Sequence, residues 1–284
     1  AQTVTKQLYL SDPSSSLDRI DPVATADATT SQSIELGSST ITQVGTPAFS
    51  NAAQTASSHS FTYNSGTIGT NRILMVGVSY RNKDNETVTG ATYNGITMTQ
   101  VGTVSQGNDG QVYIFRLMNP PTGNNSLAVT WNSALNQGAV VGAVTYAGVN
   151  PTTPTGTFAS SNGTNTSPGV TVSSGTGQLV FGVVAGRTTS DYVVTTSGAT
   201  QLWNSRPYSG QTAASCQTLP GVASAALTWT GTNDEWAAGG VSLIPSTTTN
   251  IVFTQAPALC ANLTIKAGAV SVTNYLSITG GTMP

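Results

Sequence analysis

Segments in the first half of the chain recur in the second half in the same order, and this internal repeat constrains the fold more than any other feature. The spacing between matching segments falls steadily from 109 to 97 residues along the chain. A duplicated set of strands joined by loops of different length would give this drift. The alternative is chance similarity between short segments rich in Val and Thr. The matches join 60–67 with 169–176, 74–81 with 179–187, 126–131 with 224–229, and 142–145 with 239–242.

The repeated segments have the composition of β-strands. They are short runs of Val, Ile, Thr, Tyr and Phe between clusters of Gly, Asn, Ser and Pro, and no stretch has the apolar period of a helix. The pair Asn94-Gly95 separates two alternating segments and predicts a type I′ hairpin, because both central residues of that turn need a positive φ. We therefore predict an all-β fold, a jelly-roll or Ig-like two-sheet sandwich built from the internal repeat.

The repeat also suggests boundaries. We expect a β-sandwich over 46–246, with pseudo-repeats near 56–150 and 165–245, and extended strand segments over 1–45 and 247–284. Two architectures fit the repeat: one sandwich in which the two halves interleave, which we favour, or two tandem Ig-sized domains. The stretch 138–148 is apolar almost throughout and predicts a strand buried on both faces. The polar stretch 150–169 between the halves predicts a long surface loop.

Charge is scarce in this chain. Only 7% of residues are charged and the net charge is −2, whereas a typical soluble domain has roughly 25% charged residues. This excludes a basic surface for nucleic acid and gives no attraction to anionic membranes. No apolar run reaches the roughly 18 residues of a transmembrane helix. The single histidine, His59, excludes zinc sites built from several histidines and argues against a Ser-His-Asp triad.

The ends of the chain and its cysteines indicate the compartment. The sequence begins with Ala1-Gln2, as a mature secreted protein would after signal-peptide removal, although a recombinant chain could begin the same way. Cys216 and Cys260 are too far apart for a compact zinc motif and predict a disulfide in an oxidising compartment. The alternative is a pair of buried free thiols. We expect a secreted protein, outside the cell or on its surface.

Paired carboxylates of the kind used in glycoside hydrolysis are the first chemistry to weigh. Asp84 and Glu86 share a face if their segment is a strand, but the polar run 81–86 is typical of a solvated loop. The adjacent Asp234 and Glu235 would point to opposite faces of a strand. Nothing in the sequence marks an aromatic cleft around either pair, so we predict that the chain is not an enzyme.

Calcium is the only cofactor that the sequence suggests. Carboxylates are clustered near the N-terminus, although two of them precede proline and have a turn role as the simpler explanation. The loop with Asn82, Asp84 and Asn85 is a second candidate. The N-terminal candidates are Asp12, Asp18, Asp21 and Asp27.

A sugar-binding surface is the main rival to a structural role. Trp203, Tyr208 and Trp236 stand among Gly, Asn and Ser residues, where aromatic rings could stack on a surface glycan. The alternative is ordinary packing of these rings onto the sandwich. Trp131 and Trp229 occupy matching positions of the repeat, and we expect both in the core.

Strands near the two termini lie outside the repeat. Their apolar residues alternate with polar ones, so each strand has one apolar face. Such strands could dock on their own domain or add to a sheet edge of a neighbouring copy. The residues on these faces are Val4, Leu8 and Leu10 at the N-terminus, and Val270, Val272, Leu276 and Ile278 at the C-terminus.

Several motifs resemble a β-sandwich module of large secreted bacterial surface proteins. They are LMVGVSYRN, ATYNGITMTQVG, FRLMNPPTG, LAVTW, GAVTYAGV and WAAGGVSL. The stretch TKQLYLSDP…LDRIDPV is similar to the start of exported proteins of gliding and filamentous bacteria, and CANLTIKAGAVSVTNYLSITGG resembles the strand repeats of adhesins. The resemblance implies a surface location and an adhesive or structural role, and it carries no catalytic residue.

These observations lead to one functional prediction with two alternatives. We expect an extracellular structural subunit that forms a homopolymer, as a filament, sheath or adhesive layer, through β-strand addition of its terminal segments. The first alternative is a carbohydrate-binding module of a secreted adhesin. The second is a fragment of a longer adhesin.

Overall fold

The protein is described by a computed structural model, which gives side chains for residues 40–208 and 210–246. Outside these ranges it gives only the backbone of strands within 6–38 and 247–267. All regular secondary structure in the described residues is β-strand, so the predicted all-β class is confirmed. Accordingly, this part of the chain contains no helix with the length and hydropathy needed to cross a membrane.

Strands follow one another closely along the described chain. β4 to β21 belong to one compact unit, residues 39–246, and the strands near the two termini belong to a second. In chain order they are β1 (Lys6–Leu10), β2 (Arg19–Pro22), β3 (Ile34–Ser38), β4 (Thr42–Gln43), β5 (Ala48–Ala52), β6 (Ser58–Asn64), β7 (Ile73–Tyr80), β8 (Val88–Tyr93), β9 (Ile96–Thr97), β10 (Thr99–Gln106), β11 (Gly110–Met118), β12 (Asn124–Trp131), β13 (Ala139–Ala147), β14 (Ala159–Asn165), β15 (Gly169–Ser173), β16 (Leu179–Gly186), β17 (Val193–Val194), β18 (Thr200–Tyr208), β19 (Thr212–Pro220), β20 (Ser224–Thr230), β21 (Asp234–Leu243), β22 (Thr247–Phe253) and β23 (Leu263–Ala267).

Each half of the unit 39–246 is a sandwich of two antiparallel sheets. In the first half, large sheet 1 has the order β10-β11-β7-β13, with β5 and β4 on the other side of β13, and small sheet 1 has the order β6-β12-β8-β9. In the second half, large sheet 2 has the order β14-β21-β16-β19-β18 and small sheet 2 has the order β15-β20-β17. The strand orders of the two halves are the same when the eight strands β5 to β8 and β10 to β13 are matched, in chain order, with the eight strands β14 to β21. The segments that match in sequence therefore lie on equivalent strands.

Each half has the connectivity of a jelly roll. Numbered along the chain, its strands form sheets of order 1-8-3-6-5 and 2-7-4. In the first half the fifth strand begins as β9, beside β8 in the small sheet, and continues after Met98 as β10, beside β11 in the large sheet. The hairpin from β8 to β9 turns at Asn94 and Gly95, whose φ values of 51° and 75° confirm the expected turn.

The two sandwiches pack against each other through their large sheets. The order of layers is small sheet 1, large sheet 1, large sheet 2 and small sheet 2, with one apolar layer in each of the three gaps. Because both faces of the large sheets are covered, every residue of β7 and of β13 is buried. The double burial predicted for 138–148 is confirmed. The favoured interleaving of the halves is wrong, since each sheet takes its strands from one half only.

The middle layer is tightly packed around Trp203. Gly77 and Gly142 are paired across β7 and β13, and the Trp203 ring of large sheet 2 lies on both. A methyl group at Gly142 would come within 2.2 Å of Trp203 Cε2. Hydrogen bonds join the halves as well: Thr212 Oγ1 donates to the Gln137 carbonyl at 2.9 Å, and Arg81 Nη1 donates to Gln211 Oε1 at 2.6 Å.

β7 and β16 are equivalent strands of the two halves, but the faces to which their residues point differ from those that the sequence alignment predicts. Gly77 and Gly182 coincide when the two segments are aligned. In the structure Gly77 faces Val183 and Trp203 of the other sandwich, whereas Gly182 faces Leu227 of its own small sheet. The aligned glycines therefore point to opposite faces of their strands, so the structural equivalence differs from the sequence alignment by an odd number of residues. Strands buried on both faces have no polar face to specify the register, so the sequence could not reveal the shift.

The segment between the halves is not a loop throughout. Its second part forms β14, which pairs with β21 at the edge of large sheet 2. An edge strand can be held by backbone hydrogen bonds alone, so its Ser, Asn, Gly and Thr side chains remain accessible to solvent. Gly163 lies against the Trp236 ring, where a side chain would not fit. The expected surface loop over 150–169 is thus wrong for residues 159–165.

Candidate functional site

Strands from the two ends of the chain pair with each other. β1 is the central strand of a three-stranded sheet, antiparallel to β2 and parallel to β23. Leu8 lies opposite Ile20 on one side and Ile265 on the other. β3 and β22 form a separate antiparallel pair. Of the predicted assembly residues, Leu8 and Leu10 lie on β1, while Val4, Val270, Val272, Leu276 and Ile278 lie outside the described residues.

These terminal sheets are small and have open edges. In the described backbone, β2 and β23 are each paired on one side only, and so are β3 and β22. Two-stranded sheets are marginally stable in water, and an unpaired edge presents free N–H and C=O groups to any further strand. In the described backbone these terminal sheets therefore offer edges to which a further strand could add, as the edge strands of the double sandwich also do.

The outer faces of the two small sheets carry hydroxyl groups and no charge. No residue in the strands of small sheet 1 or small sheet 2 is Lys, Arg, Asp or Glu. Neighbouring threonines hydrogen-bond across strands: Thr89 Oγ1 lies 3.0 Å from Thr130 Oγ1, and Thr195 Oγ1 donates to Thr228 Oγ1 at 2.9 Å. The outer faces of the two small sheets are thus similar in being neutral and rich in hydroxyl groups.

The aromatic residues predicted to bind a glycan do not form a surface. Trp203 is only 3% exposed and lies in the middle layer between the sandwiches. Trp236 is 4% exposed, lies in the layer below small sheet 2, and donates its Nε1–H to Asn165 Oδ1 at 3.2 Å. Tyr208 is half-buried and its ring lies over Gly138. The prediction is wrong for Trp203 and Trp236, whose rings fill the interior as those of Trp131 and Trp229 do, and for Tyr208 it stays a prediction.

Cys216 is a free thiol within the described residues. It lies on β19 in the middle layer with no exposed surface, and burial raises the pKa of the thiol well above its usual value. Its predicted partner, Cys260, lies outside the described residues. A disulfide would require Cys260 to enter the core between the two sandwiches. The predicted bond therefore gains no support from the described part of the chain, and Cys216 fits the alternative of a buried thiol.

The carboxylates occupy several distinct settings. Asp234 accepts a hydrogen bond from Arg187 Nε at 3.1 Å in an ion pair. Glu86 has no exposed surface, so the solvated loop expected over 81–86 is wrong at this residue. No group of three or more His, Cys, Asp or Glu side chains suited to a metal occurs among the described residues. For the N-terminal calcium candidates, Asp21 lies on β2, described by backbone only, and Asp12, Asp18 and Asp27 are not described.

Histidine 59 lies on β6 at the rim of small sheet 1. Its Nε2 lies 2.9 Å from Ser50 Oγ, and its ring lies 6.2 Å from that of Phe61. Partial burial lowers the pKa of His59 below 6.5. Among the described residues its side-chain hydrogen-bond partner is this serine hydroxyl, and no carboxylate orients the imidazole ring.

Comparisons with known proteins add no further assignment. No protein-family model, curated protein or solved structure matches the chain.

Proposed function

We propose that this chain is an extracellular structural subunit that assembles into a homopolymer through β-strand addition by its terminal segments. The observation that carries the proposal is the pairing of strands from both chain ends into small sheets with open edges. A strand from a second copy would complete these sheets through main-chain hydrogen bonds. A contact of this kind that does not close on itself produces a filament.

The remainder of the protein is compatible with this role. The double sandwich has a continuous interior and uncharged outer faces, so copies can approach without strong repulsion. The net charge of −2 points the same way. The hydroxyl groups on the outer faces would keep such a neutral particle hydrated.

A sugar-binding role has lost two of the three aromatic residues on which it depended. With Trp203 and Trp236 buried, only Tyr208 remains partly accessible. We therefore put forward no second function.

The test interrupts the central terminal strand without removing it. In Leu8→Pro, β1 loses a backbone donor between β2 and β23, whereas the matched control Leu8→Val keeps that donor and high strand propensity. We expect fibres from the wild-type protein and from Leu8→Val in negative-stain electron microscopy, and none from Leu8→Pro. Light scattering on the same samples gives the mass, and circular dichroism should show that the double sandwich is folded in all three.

Two results would contradict the proposal. One is a wild-type protein that stays monomeric at high concentration. The other is Leu8→Pro fibres that match the wild type in length and number, because proline in the central strand should disrupt the sheet whose open edges would accept the added strand.

A further inference from the structure

Two loops at one end of the first sandwich are joined by a buried carboxylate. The loop 81–87 follows β7, and the loop 132–138 precedes β13. Glu86 Oε2 accepts the Asp84 N–H at 2.8 Å, and Glu86 Oε1 accepts the Asn136 N–H at 2.8 Å. The Asn136 side chain donates its Nδ2–H to Asp84 Oδ2 at 2.5 Å. Two carboxylates are thereby brought around one asparagine.

These two carboxylates have no cationic partner among the described residues. The ion pairs found there involve Asp109, Asp191 and Asp234 instead. Glu86 is fully buried, and a buried carboxylate without a counter-charge is costly. Its position therefore favours the presence of a positive charge that the described side chains do not supply.

Unpartnered oxygens lie in the same two loops. Gln137 is 6% exposed, and its Oε1 has no hydrogen-bond partner. Its Nε2 donates to Asn136 Oδ1, so the Gln137 amide lies beside the asparagine that contacts both carboxylates. Asn82 Oδ1, two residues before Asp84, is likewise buried and unpartnered. Both atoms are acceptors, so a cation would satisfy them.

The second sandwich provides an internal comparison. Its equivalent loops, after β16 and before β21, are joined by hydroxyl groups, and the nearby carboxylate of Asp234 is paired with Arg187. Thr188 Oγ1 lies 2.6 Å from Thr232 Oγ1 and accepts the Ser190 N–H at 3.2 Å. Thr188 is also fully buried. Joining these loops therefore does not require a carboxylate without a cationic partner, and the two carboxylates of the first sandwich need another explanation.

We propose that Asp84, Glu86 and Gln137 bind a calcium ion between the loops 81–87 and 132–138. Carboxylate and amide oxygens are the ligands that calcium takes, in flexible arrangements that tolerate loop donors. The Glu86 oxygens each retain a lone pair, and Asp84 Oδ1 is not used in the hydrogen bond to Asn136. The site is independent of self-assembly through the terminal strands.

The test is a calcium titration of the full chain after treatment with a chelator. Calorimetry measures the affinity, and terbium luminescence reports the position. Tyr80 donates its hydroxyl to the Glu86 carbonyl at 2.8 Å, so terbium at this site should be sensitised by tyrosine excitation. We expect calcium to raise the unfolding temperature and to displace terbium.

Three variants locate the ion. Asp84 is exposed, so Asp84→Asn should fold and weaken calcium binding by about tenfold or more, because affinity follows the charge of the ligands. Gln137→Met removes the unpartnered oxygen at similar volume and should weaken calcium binding while the calcium-free protein remains folded. Asp191→Asn, in the equivalent loop of the second sandwich, is the matched control and should bind as the wild type does.

A fourth variant separates this site from the N-terminal carboxylates. Replacing Asp12, Asp18, Asp21 and Asp27 together by Asn should leave the affinity unchanged. The proposal is overturned if the wild type binds no calcium up to about 10 mM, beyond the range of weak extracellular sites. It is also overturned if Asp84→Asn binds as tightly as the wild type, or if the fourfold variant loses binding.

Discussion

The packing of Trp203 between the sandwiches makes a quantitative prediction about stability. An aromatic side chain of this class buries about 150–250 Å², which at about 25 cal/mol per Å² corresponds to about 4–6 kcal/mol. Trp203 is 3% exposed, so nearly all of this applies. The unfolded chain already buries part of its apolar surface, which reduces the figure. We expect Trp203→Ala to destabilise the protein by about 3–5 kcal/mol, within the range of large-to-small core substitutions.

The contact between Trp203 and Gly142 provides a second test of the packing of Trp203 between the sandwiches. Gly142→Ala alone places a methyl group 2.2 Å from Trp203 Cε2 and should cost about 1–3 kcal/mol through overpacking. In the double variant, which carries both Trp203→Ala and Gly142→Ala, the added methyl group enters the cavity left by the indole. The combined cost should therefore be smaller than the sum of the single costs by about 1–3 kcal/mol.

Urea unfolding followed by far-UV circular dichroism measures these costs as shifts of the midpoint at constant slope. Val193→Ala is the control, since Val193 is 54% exposed and its truncation should change stability by less than about 0.5 kcal/mol. Strictly additive costs, or a loss below about 1 kcal/mol for Trp203→Ala, would refute the packing between the sandwiches. The second result would also be expected of a surface tryptophan that binds sugar.

Three smaller predictions follow from single residues. Because Cys216 is fully buried with a raised pKa, a thiol reagent should label it at the rate of protein unfolding, and rapid labelling of Cys216 in the folded protein, located by peptide mass mapping, would contradict its position. Burial lowers the pKa of His59 below 6.5, so the unfolded chain gains its proton first as the pH falls; stability should decline below about pH 6.5, and less in His59→Gln, as urea midpoints at pH 7.5 and 5 would show. Gly95 has a φ of 75° and open space around it, so Gly95→Ala should cost about 1 kcal/mol in thermal unfolding from backbone strain alone, and no cost would argue against the turn.

The sequence predicted best those features that are written locally. In β12 and β20 the residues alternate between buried and exposed, and the turn at Gly95 follows from two adjacent residues. The apolar run on β13 correctly indicated burial on both faces. Which surface covers the second face is decided by another sheet, so the stacking of two sandwiches could not be derived from either half.

The misassigned residues show where local composition misleads. Trp203 is followed by the polar residues Asn204, Ser205 and Arg206, but on a strand the next residue points to the other face. Glu86 belongs to a polar run, yet its carboxylate is buried by a loop some 50 residues later, whose Asn136 N–H it accepts. In both cases the neighbours that matter are distant in sequence, and a single sequence does not identify them.

The positions of the two ends of the double sandwich determine how it responds to mechanical force. Thr42 pairs with Ala147 and Pro245 with Val149, so the chain enters and leaves the unit beside the same short segment. A pull on these ends alone would peel β4 from β13 one hydrogen bond at a time. Just outside the unit, Ser38 pairs with Thr247 and joins the two chain segments before tension reaches the sandwich. In a filament connected through the terminal strands, tension would therefore bypass the sandwiches, which would stay folded while the junctions stretch.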